Sequence, residues 1–239
     1  MPKNTPLPEW ERVLSAAAHL QELLPEAVLV GGTAAAIHAR HRFSRDADHV
    51  LTDLRERFDK ILAQLESVAG WKTARVQRPV QILGSLDGIE TGIRQLIREA
   101  PLETTAIKRG GQAIRVPTKA EILRIKSALI LRRNATRDYL DFVALADQLG
   151  DEQTTKALRD FDRLYPQPNN ASALQQLQIQ LANPLPYDLE ATRLAEYKNL
   201  APRWQDWQTV AKACARCAIA IFEGASARGQ RRQKKKRSK

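Results

Sequence analysis

The sequence VLVGGT at residues 28–33, followed by RFSRDAD at residues 42–48, decides the fold of this chain. The apolar run 28–30 predicts a short buried strand, and Gly31 and Gly32 allow a tight turn and a close approach to a ligand. A helix is expected to begin near Thr33, with Thr33 as its N-cap. The unsatisfied N–H groups of the first helical turn would then face an anion held beside the two glycines.

Two carboxylates follow this turn. Asp46 and Asp48 are two residues apart in a segment that ends in His49-Val50-Leu51, so on a strand both would point to the same face. Magnesium prefers oxygen ligands and commonly combines one or two carboxylates with substrate phosphates. Together the two motifs are typical of metal-dependent nucleotidyl transfer. The expected nucleotide-binding residues are Gly31, Gly32, Thr33, Arg42 and Ser44.

A site for two metal ions generally needs a third carboxylate from another strand. Glu90 is the candidate, since Ile89 and Ile93 alternate with polar positions and Gly92 would leave room for a nucleotide on the face of Glu90. Asp87 is the alternative, although it lies in a segment that is more typical of a turn. The expected metal ligands are therefore Asp46, Asp48 and Glu90.

Composition describes an ordinary globular protein of 239 residues, with 43% hydrophobic and 27% charged residues. No apolar run approaches the roughly 20 residues needed to span a bilayer, and the N-terminus lacks the apolar core of a signal peptide. These features predict a cytoplasmic protein. Cys214 and Cys217 share one face of a predicted helix, and with no histidine nearby they favour structural burial over a zinc site.

The pattern along the chain predicts an α+β fold with two domains. Residues 1–117 are expected to form a domain with a small mixed sheet flanked by helices, because helical spacing at 8–24 and 54–69 is followed by strand signals from residue 71. Residues 118–225 have helical spacing throughout and predict a helical domain. Eight of the eleven net positive charges lie in 226–239, which predicts a disordered basic tail suited to nucleic acid or to solubility.

A second polar segment lies in the predicted helical domain. Lys126 is flanked by apolar residues, so its ammonium could emerge at the rim of a packed face and point toward a triphosphate. Asn134 could cap a new helix, on which Asp138 and Asp141 would share a face. A surface ladder of ion pairs would have the same spacing, so the spacing alone leaves both interpretations open.

The combination of Gly31-Gly32, the motif from Arg42 to Asp48, Lys126, and the pair Asp138 and Asp141 resembles the AbiEii-type nucleotidyltransferases. These are the toxins of type IV toxin–antitoxin systems, within the wider DNA polymerase β-like nucleotidyltransferase superfamily. The resemblance extends from about residue 28 to about residue 145. It implies a nucleoside triphosphate substrate, magnesium, and catalytic roles for Asp46, Asp48, Lys126 and Asp138. Gly31-Gly32 stands where Gly-Ser is commoner in the family.

Three functions are compatible with these features. The first is transfer of a nucleoside monophosphate to an RNA 3′ end, transfer RNA above all, by a toxin whose antitoxin is encoded by a neighbouring gene. The second is a nucleotidyltransferase that modifies a small molecule such as an aminoglycoside. The third is a non-catalytic regulator of the same fold that binds nucleotide or RNA.

Overall fold

A computed structural model describes residues 9–109 and 111–237, with side chains described for 9–108 and 111–224. These residues have the mixed α+β fold that the sequence predicts. The elements in chain order are α1 (Glu9–Leu23), β1 (Val28–Leu29), α2 (Gly31–Ala39), β2 (Ala47–Leu51), α3 (Leu54–Glu66), β3 (Trp71–Gln77), β4 (Gln81–Leu86), β5 (Ile89–Gln95), β6 (Thr104–Arg109), β7 (Gln112–Pro117), α4 (Lys119–Arg133), α5 (Thr136–Ala157), α6 (Phe161–Leu164), α7 (Ala173–Ala182) and α8 (Trp207–Arg237).

The described residues fall into two compact units. The first contains the chain up to Ile37 and Phe43–Thr118, and the second contains His38–Arg42 and the chain from Lys119 onward. The five residues 38–42 thus belong with the helical part, although residues of the first unit precede and follow them. Nothing in their composition predicts this placement.

The first unit is built on a five-stranded mixed sheet with the strand order β1-β2-β5-β4-β3. Only β2 and β5 pair in parallel, and the other neighbours are antiparallel. Asp48 on β2 lies opposite Gly92 on β5. Strands β6 and β7 form a separate two-stranded sheet, which Gln21 of α1 holds through hydrogen bonds to the backbone N–H and C=O of Arg115.

One face of the five-stranded sheet carries the core of the first unit. Alternation along the strands turns apolar side chains to this face, where they pack against α1 and α3. The buried residues of this cluster include Leu20, Leu24, Leu51, Leu54, Phe58, Ile61, Leu65, Trp71, Ile82, Leu86 and Ile93. Asp48 alternates with the buried Ala47 and His49, so it points to the opposite face.

The second unit is helical, and the cysteines lie in its core. Cys214 and Cys217 of α8 are buried free thiols, in agreement with the predicted structural burial. Burial raises the pKa of Cys217 to about 11 and that of Cys214 well above its usual value. Both therefore remain protonated thiols at neutral pH, a poor state for nucleophilic attack or metal binding.

Several boundaries differ from the prediction. Helix α2 begins at Gly31, so the prediction that Thr33 is its N-cap is wrong. Helix α5 continues to Ala157 across a kink at Gly150, whose φ of 75° breaks the helical backbone. The break before α5 is present, but its N-cap is Ala135, and Asp188 accepts hydrogen bonds from the N–H and hydroxyl of Thr136.

The basic segment 226–239 follows the last described side chains of α8. The backbone of α8 is helical as far as Arg237, and arginine, glutamine and lysine are residues that extend a helix readily. The side chains from residue 225 onward and residues 238–239 lie outside the described residues, and the predicted disorder of this segment and its predicted contact with nucleic acid concern these groups. No helix among the described residues is both long and apolar enough to cross a membrane.

Candidate active site

The two acids of the RFSRDAD motif lie at the start of β2. Asp48 is the second residue of the strand, and Asp46 directly precedes it. Both residues are partly exposed, and the side chain of Asp48 is 27% exposed. Ser44 Oγ donates a hydrogen bond of 2.5 Å to Asp46 Oδ1, which fixes the orientation of that carboxylate. The motif therefore presents two carboxylates that solvent or a ligand can reach.

The N-terminus of α2 lies against these acids. Val30 N–H donates to the backbone oxygen of Asp48 at 2.8 Å, and Thr33 Oγ1 donates to the backbone oxygen of Asp46. A Cβ on Gly31 would stand 3.8 Å from Asp48 Oδ2, so the backbone of the first helical turn lies beside the carboxylate. The first N–H groups of a helix have no acceptor within the helix, and they carry partial positive charge. An anion bound to a metal ion at Asp48 would meet them.

Gly31 and Gly92 leave space around Asp48. The φ of Gly31 is +72°, a conformation that L-residues adopt only with strain. A Cβ on Gly92 would lie 3.1 Å from Asp48 Oδ1 and 2.5 Å from Leu83 Cδ2, closer than side chains tolerate. Glycine at position 92 therefore keeps a side chain away from Asp48, as expected beside a ligand.

Glu90 and Asp87 are placed differently. Glu90 is exposed on β5, two residues before Gly92, and so lies on the same sheet face as Asp48. Asp87 lies in the turn between β4 and β5, where its φ is 54° and its Oδ2 is 3.0 Å from His19 Nδ1. This placement favours Glu90 over Asp87 as an acidic residue near the Asp48 carboxylate.

The polar side chains of three predicted nucleotide-binding residues form hydrogen bonds to other residues of the protein. Arg42 is buried and donates two hydrogen bonds to Asp141, from Nε at 2.8 Å and from Nη2 at 3.1 Å. The hydroxyls of Thr33 and Ser44 donate to the backbone and the side chain of Asp46, respectively. The groups best placed to bind phosphate are therefore the backbone N–H groups of Gly31 and Gly32.

Lys126, Asp138 and Asp141 belong to a buried ionic network in the second unit. Lys126 Nζ lies 2.6 Å from Asp141 Oδ2 and 3.3 Å from Asp138 Oδ1. Arg133 donates to both oxygens of Asp138, and His41 Nε2 is 2.8 Å from Asp141 Oδ1. The side chains of both aspartates are 0% exposed and that of Lys126 is 1% exposed. A surface ladder of ion pairs, the alternative suggested by the spacing, is therefore wrong.

Charge pairing governs the ionisation of this network. Burial by itself would raise the pKa of Asp141, but Arg42, Lys126 and His41 outweigh burial and hold that pKa well below its usual value. Removing one member of such a network leaves a buried charge without its counter-charge, which is far more costly than losing a surface ion pair.

Sequence reasoning missed two functional candidates. Arg94 lies on the Asp48 face of β5, and its Nη2 is 3.9 Å from Asp48 Oδ1. The period of two along β5 places it beyond Glu90 and Gly92, so alternation alone could have identified it. His41 joins the buried network through Asp141. No local signal reveals that contact, because the two residues are 100 positions apart.

The carboxylates suit a divalent cation. Asp46 and Asp48 offer hard oxygen ligands beside a helix N-terminus, with space kept open by Gly92. Within 9–108 and 111–224, no three His, Cys, Asp or Glu side chains are close enough together to hold a metal ion. Two carboxylates are nevertheless what a protein commonly contributes to magnesium when substrate phosphates and water supply the other ligands.

Comparison with known proteins identifies a family. The family model described as nucleotidyl transferase AbiEii toxin, type IV TA system, matches residues 12–218. Among curated proteins, the mycolic acid-containing lipids exporter MmpL11 of Mycolicibacterium smegmatis is 34% identical over 131 residues, which are 54% of this chain and 13% of that protein. The match thus spans about an eighth of that relative, and the export function in its name belongs to that protein.

Two solved structures from Helicobacter pylori share the fold. The crystal structure of JHP933 has a TM-score of 0.53 at 16% identity and covers 95% of this chain and 96% of its own. A second crystal structure, described as a nucleotidyltransferase, has a TM-score of 0.50 at 15% identity and covers 91% and 95%. At these identities the similarity shows the fold alone.

Proposed function

Because the chain belongs to the AbiEii nucleotidyltransferase family, we propose that it transfers a nucleoside monophosphate from a nucleoside triphosphate to the 3′ end of an RNA, with transfer RNA as the acceptor. The observation that carries this proposal is the convergence of Asp46, Asp48 and the first turn of α2. Carboxylates for a cation and N–H groups for phosphate are the two components that the transfer needs.

Asp46 and Asp48 are the proposed ligands of magnesium, and Glu90 is a further acidic side chain on the same sheet face. When bound, the metal would bring the triphosphate and the attacking hydroxyl together and neutralise charge at the α-phosphate. Ser44 keeps Asp46 in one orientation through the hydrogen bond to Oδ1. Gly31 and Gly32 leave the backbone N–H groups accessible, and these bind the outer phosphates and the departing pyrophosphate.

The family resemblance implies catalytic roles for Lys126 and Asp138 as well, but their burial in the second unit suits them to holding neighbouring charges in place rather than to contact with a triphosphate. Asp138 accepts two hydrogen bonds from Arg133, whose side chain is 37% exposed. Lys126 forms ion pairs with both Asp138 and Asp141. The carboxylate of Asp138 thereby fixes the guanidinium of Arg133, part of which remains exposed to solvent.

The proposed biological role is that of the toxin of a type IV toxin–antitoxin system in the cytoplasm, since the family implies an antitoxin partner. Net charge supports an RNA acceptor: the chain carries +11, and eight of these charges lie in 226–239. Modification of the acceptor end of transfer RNA would block translation. The antitoxin would be encoded next to the gene for this chain.

The test is transfer of label from each α-³²P nucleoside triphosphate to total transfer RNA in the presence of magnesium. Wild type is expected to label RNA near its 3′ end, whereas Asp48→Asn should not. Asp59→Asn is a matched control, because it removes the same charge at an 80% exposed position on α3, away from the site. Equal labelling by wild type and Asp48→Asn, or label found only on small molecules, would contradict the proposal.

A further inference from the structure

The sheet face that carries Asp48 also carries basic side chains on β5 and β3. Pairing places Asp48 opposite Gly92, Gly92 opposite Leu83, and Leu83 opposite Arg75. Since paired residues point to the same side of a sheet, all four share one face. Arg94 lies on the same face of β5, opposite Gln81, and Lys72 lies opposite Ser85. Three cations therefore lie on the face of the proposed metal ligand.

A β-bulge puts two of these cations on that face. Lys72 and Arg75 are three positions apart, so in a regular strand they would point to opposite faces. The register of β3 shifts between Thr73 and Arg75. With Ala74 as the extra residue, Trp71 remains on the core face while Lys72 and Arg75 both point to the Asp48 face.

The bulge is supported by the neighbouring strand. A Cβ on Gly84 would lie 2.5 Å from the backbone oxygen of Lys72 and 2.7 Å from Trp71 Cζ2. Only glycine at position 84 lets β3 approach β4 this closely. The side chains of Lys72 and Arg75 are also exposed, whereas Trp71 on the core face is buried.

The charge on this face changes from acidic on β2 and β5 to basic on β3. Its acidic residues, Asp48 and Glu90, lie on β2 and β5, whereas the described face residues of β4 and β3 are neutral or basic. Strands are about 4.8 Å apart, so β3 lies roughly 14 Å from β2. That distance corresponds to about four nucleotides at 3.4 Å each along a stacked strand.

We propose that Arg94, Arg75 and Lys72 form a track for the phosphate backbone of the acceptor strand. The inference rests on the proposed function and identifies where its RNA binds. The 3′ end would lie at Asp46 and Asp48, and phosphates up to about four nucleotides upstream would reach Arg75 and Lys72. Basic residues at the edge of a sheet also discourage edge-to-edge pairing, and the experiment below separates the two roles.

The test measures binding of 3′-hydroxyl RNA oligonucleotides of two to eight nucleotides to the full chain by fluorescence anisotropy, without triphosphate. For Lys72→Gln/Arg75→Gln we expect roughly 10- to 30-fold weaker binding of the longer oligonucleotides at 0.1 M salt. The slope of log K against log salt should fall by about 1.4, which is 0.7 for each lost phosphate contact. Dinucleotide binding should change little, because a dinucleotide does not reach β3.

Arg55→Gln/Lys60→Gln is the matched control. It removes the same charge from exposed positions on α3, which covers the opposite face of the sheet. If both double variants bind alike, the track is wrong and protection of the sheet edge remains as the role of the two residues. Transfer to RNA by wild type with unchanged binding in Lys72→Gln/Arg75→Gln would disprove the track alone. Length-dependent binding without transfer by wild type would disprove the proposed function alone.

Discussion

The molecule contains two clusters of carboxylates that differ in what surrounds them. Asp46 and Asp48 are partly exposed, with a serine hydroxyl on Asp46 and an arginine 3.9 Å from Asp48. Asp138 and Asp141 are fully buried and contact lysine and arginine at 2.5–3.3 Å. Access to ligands distinguishes the first cluster, whereas internal charge balance distinguishes the second. Substitutions in the first should therefore affect chemistry, and those in the second should affect stability.

The largest expected effect separates the two clusters in activity. Asp48→Asn should lower transfer by roughly 10²- to 10⁴-fold, because it removes one negative charge from the proposed metal site. Its free energy of unfolding should stay close to that of wild type. Single-turnover assays and urea denaturation measure the two quantities. A variant that loses stability rather than activity would place Asp48 in the same class as Asp141.

Asp141→Asn should have the reverse profile. It leaves Arg42 and Lys126 buried with one carboxylate fewer, which should lower the free energy of unfolding by about 3–5 kcal/mol. Urea denaturation at pH 7 checks this value, with the exposed Asp59→Asn as a control that should change stability by well under 1 kcal/mol. A loss below 1 kcal/mol for Asp141→Asn would contradict the structural role of the network.

Acid should affect the two units in different pH ranges. Burial lowers the pKa of His49 to about 4, against the hydrogen bond between its Nδ1 and the backbone oxygen of Ala47, which raises it. As pH falls from 6.5 toward 4, the unfolded chain takes up a proton that folded His49 does not, so stability falls by at most about 3 kcal/mol. The low pKa of Asp141 acts in a lower range: its stabilisation is present above pH 3.8 and is lost as pH falls further.

The check for this pH dependence is urea denaturation between pH 4 and 7. His49→Leu should remove much of the slope in this range, because it removes the group that titrates only in the unfolded state. Since Ala47 O also accepts from Thr91 Oγ1, the substitution does not leave that carbonyl unsatisfied. An unchanged slope in His49→Leu would show that other groups cause the acid sensitivity.

The smallest expected effect concerns the hydrogen bond that orients the carboxylate of Asp46. Ser44→Ala removes the hydrogen bond to Asp46 Oδ1, and we expect kcat to fall about tenfold with little change in KM for the triphosphate. If Ser44 instead binds the nucleotide directly, KM should rise and kcat should persist. Steady-state kinetics at saturating magnesium distinguishes these outcomes.

Sequence patterns predict the local parts of this structure well. The strand signals from residue 71 onward correspond to β3 to β7, and the helical spacing at 8–24 and 54–69 corresponds to α1 and α3. These elements are identified by side chains that are near each other in sequence. Similarly, the family motif identified the AbiEii nucleotidyltransferase fold, which the match over residues 12–218 confirms.

The errors concern interactions between distant residues. Threonine is common at helix N-caps, but the hydroxyl of Thr33 donates a hydrogen bond to the backbone oxygen of Asp46. The positive charge of Arg42 suits it to binding phosphate, but its side chain donates a hydrogen bond to Asp141, 99 positions away. Likewise, no spacing rule shows whether Lys126 and Asp138 lie on a surface or in a core. Such contacts depend on the tertiary packing, which pattern reasoning does not specify.

The assignment of residues 38–42 to the helical unit also limits how this protein can be divided. A fragment that ends at Thr118 would keep His41 and Arg42 while losing Asp141, their shared acceptor. Conversely, a fragment that starts at Lys119 would leave Asp141 with Lys126 as its remaining described cation. Dividing the coding sequence at one point would therefore produce two fragments, each with buried charges that lack their partners. The two units should accordingly be inherited, transferred and expressed together rather than as interchangeable modules.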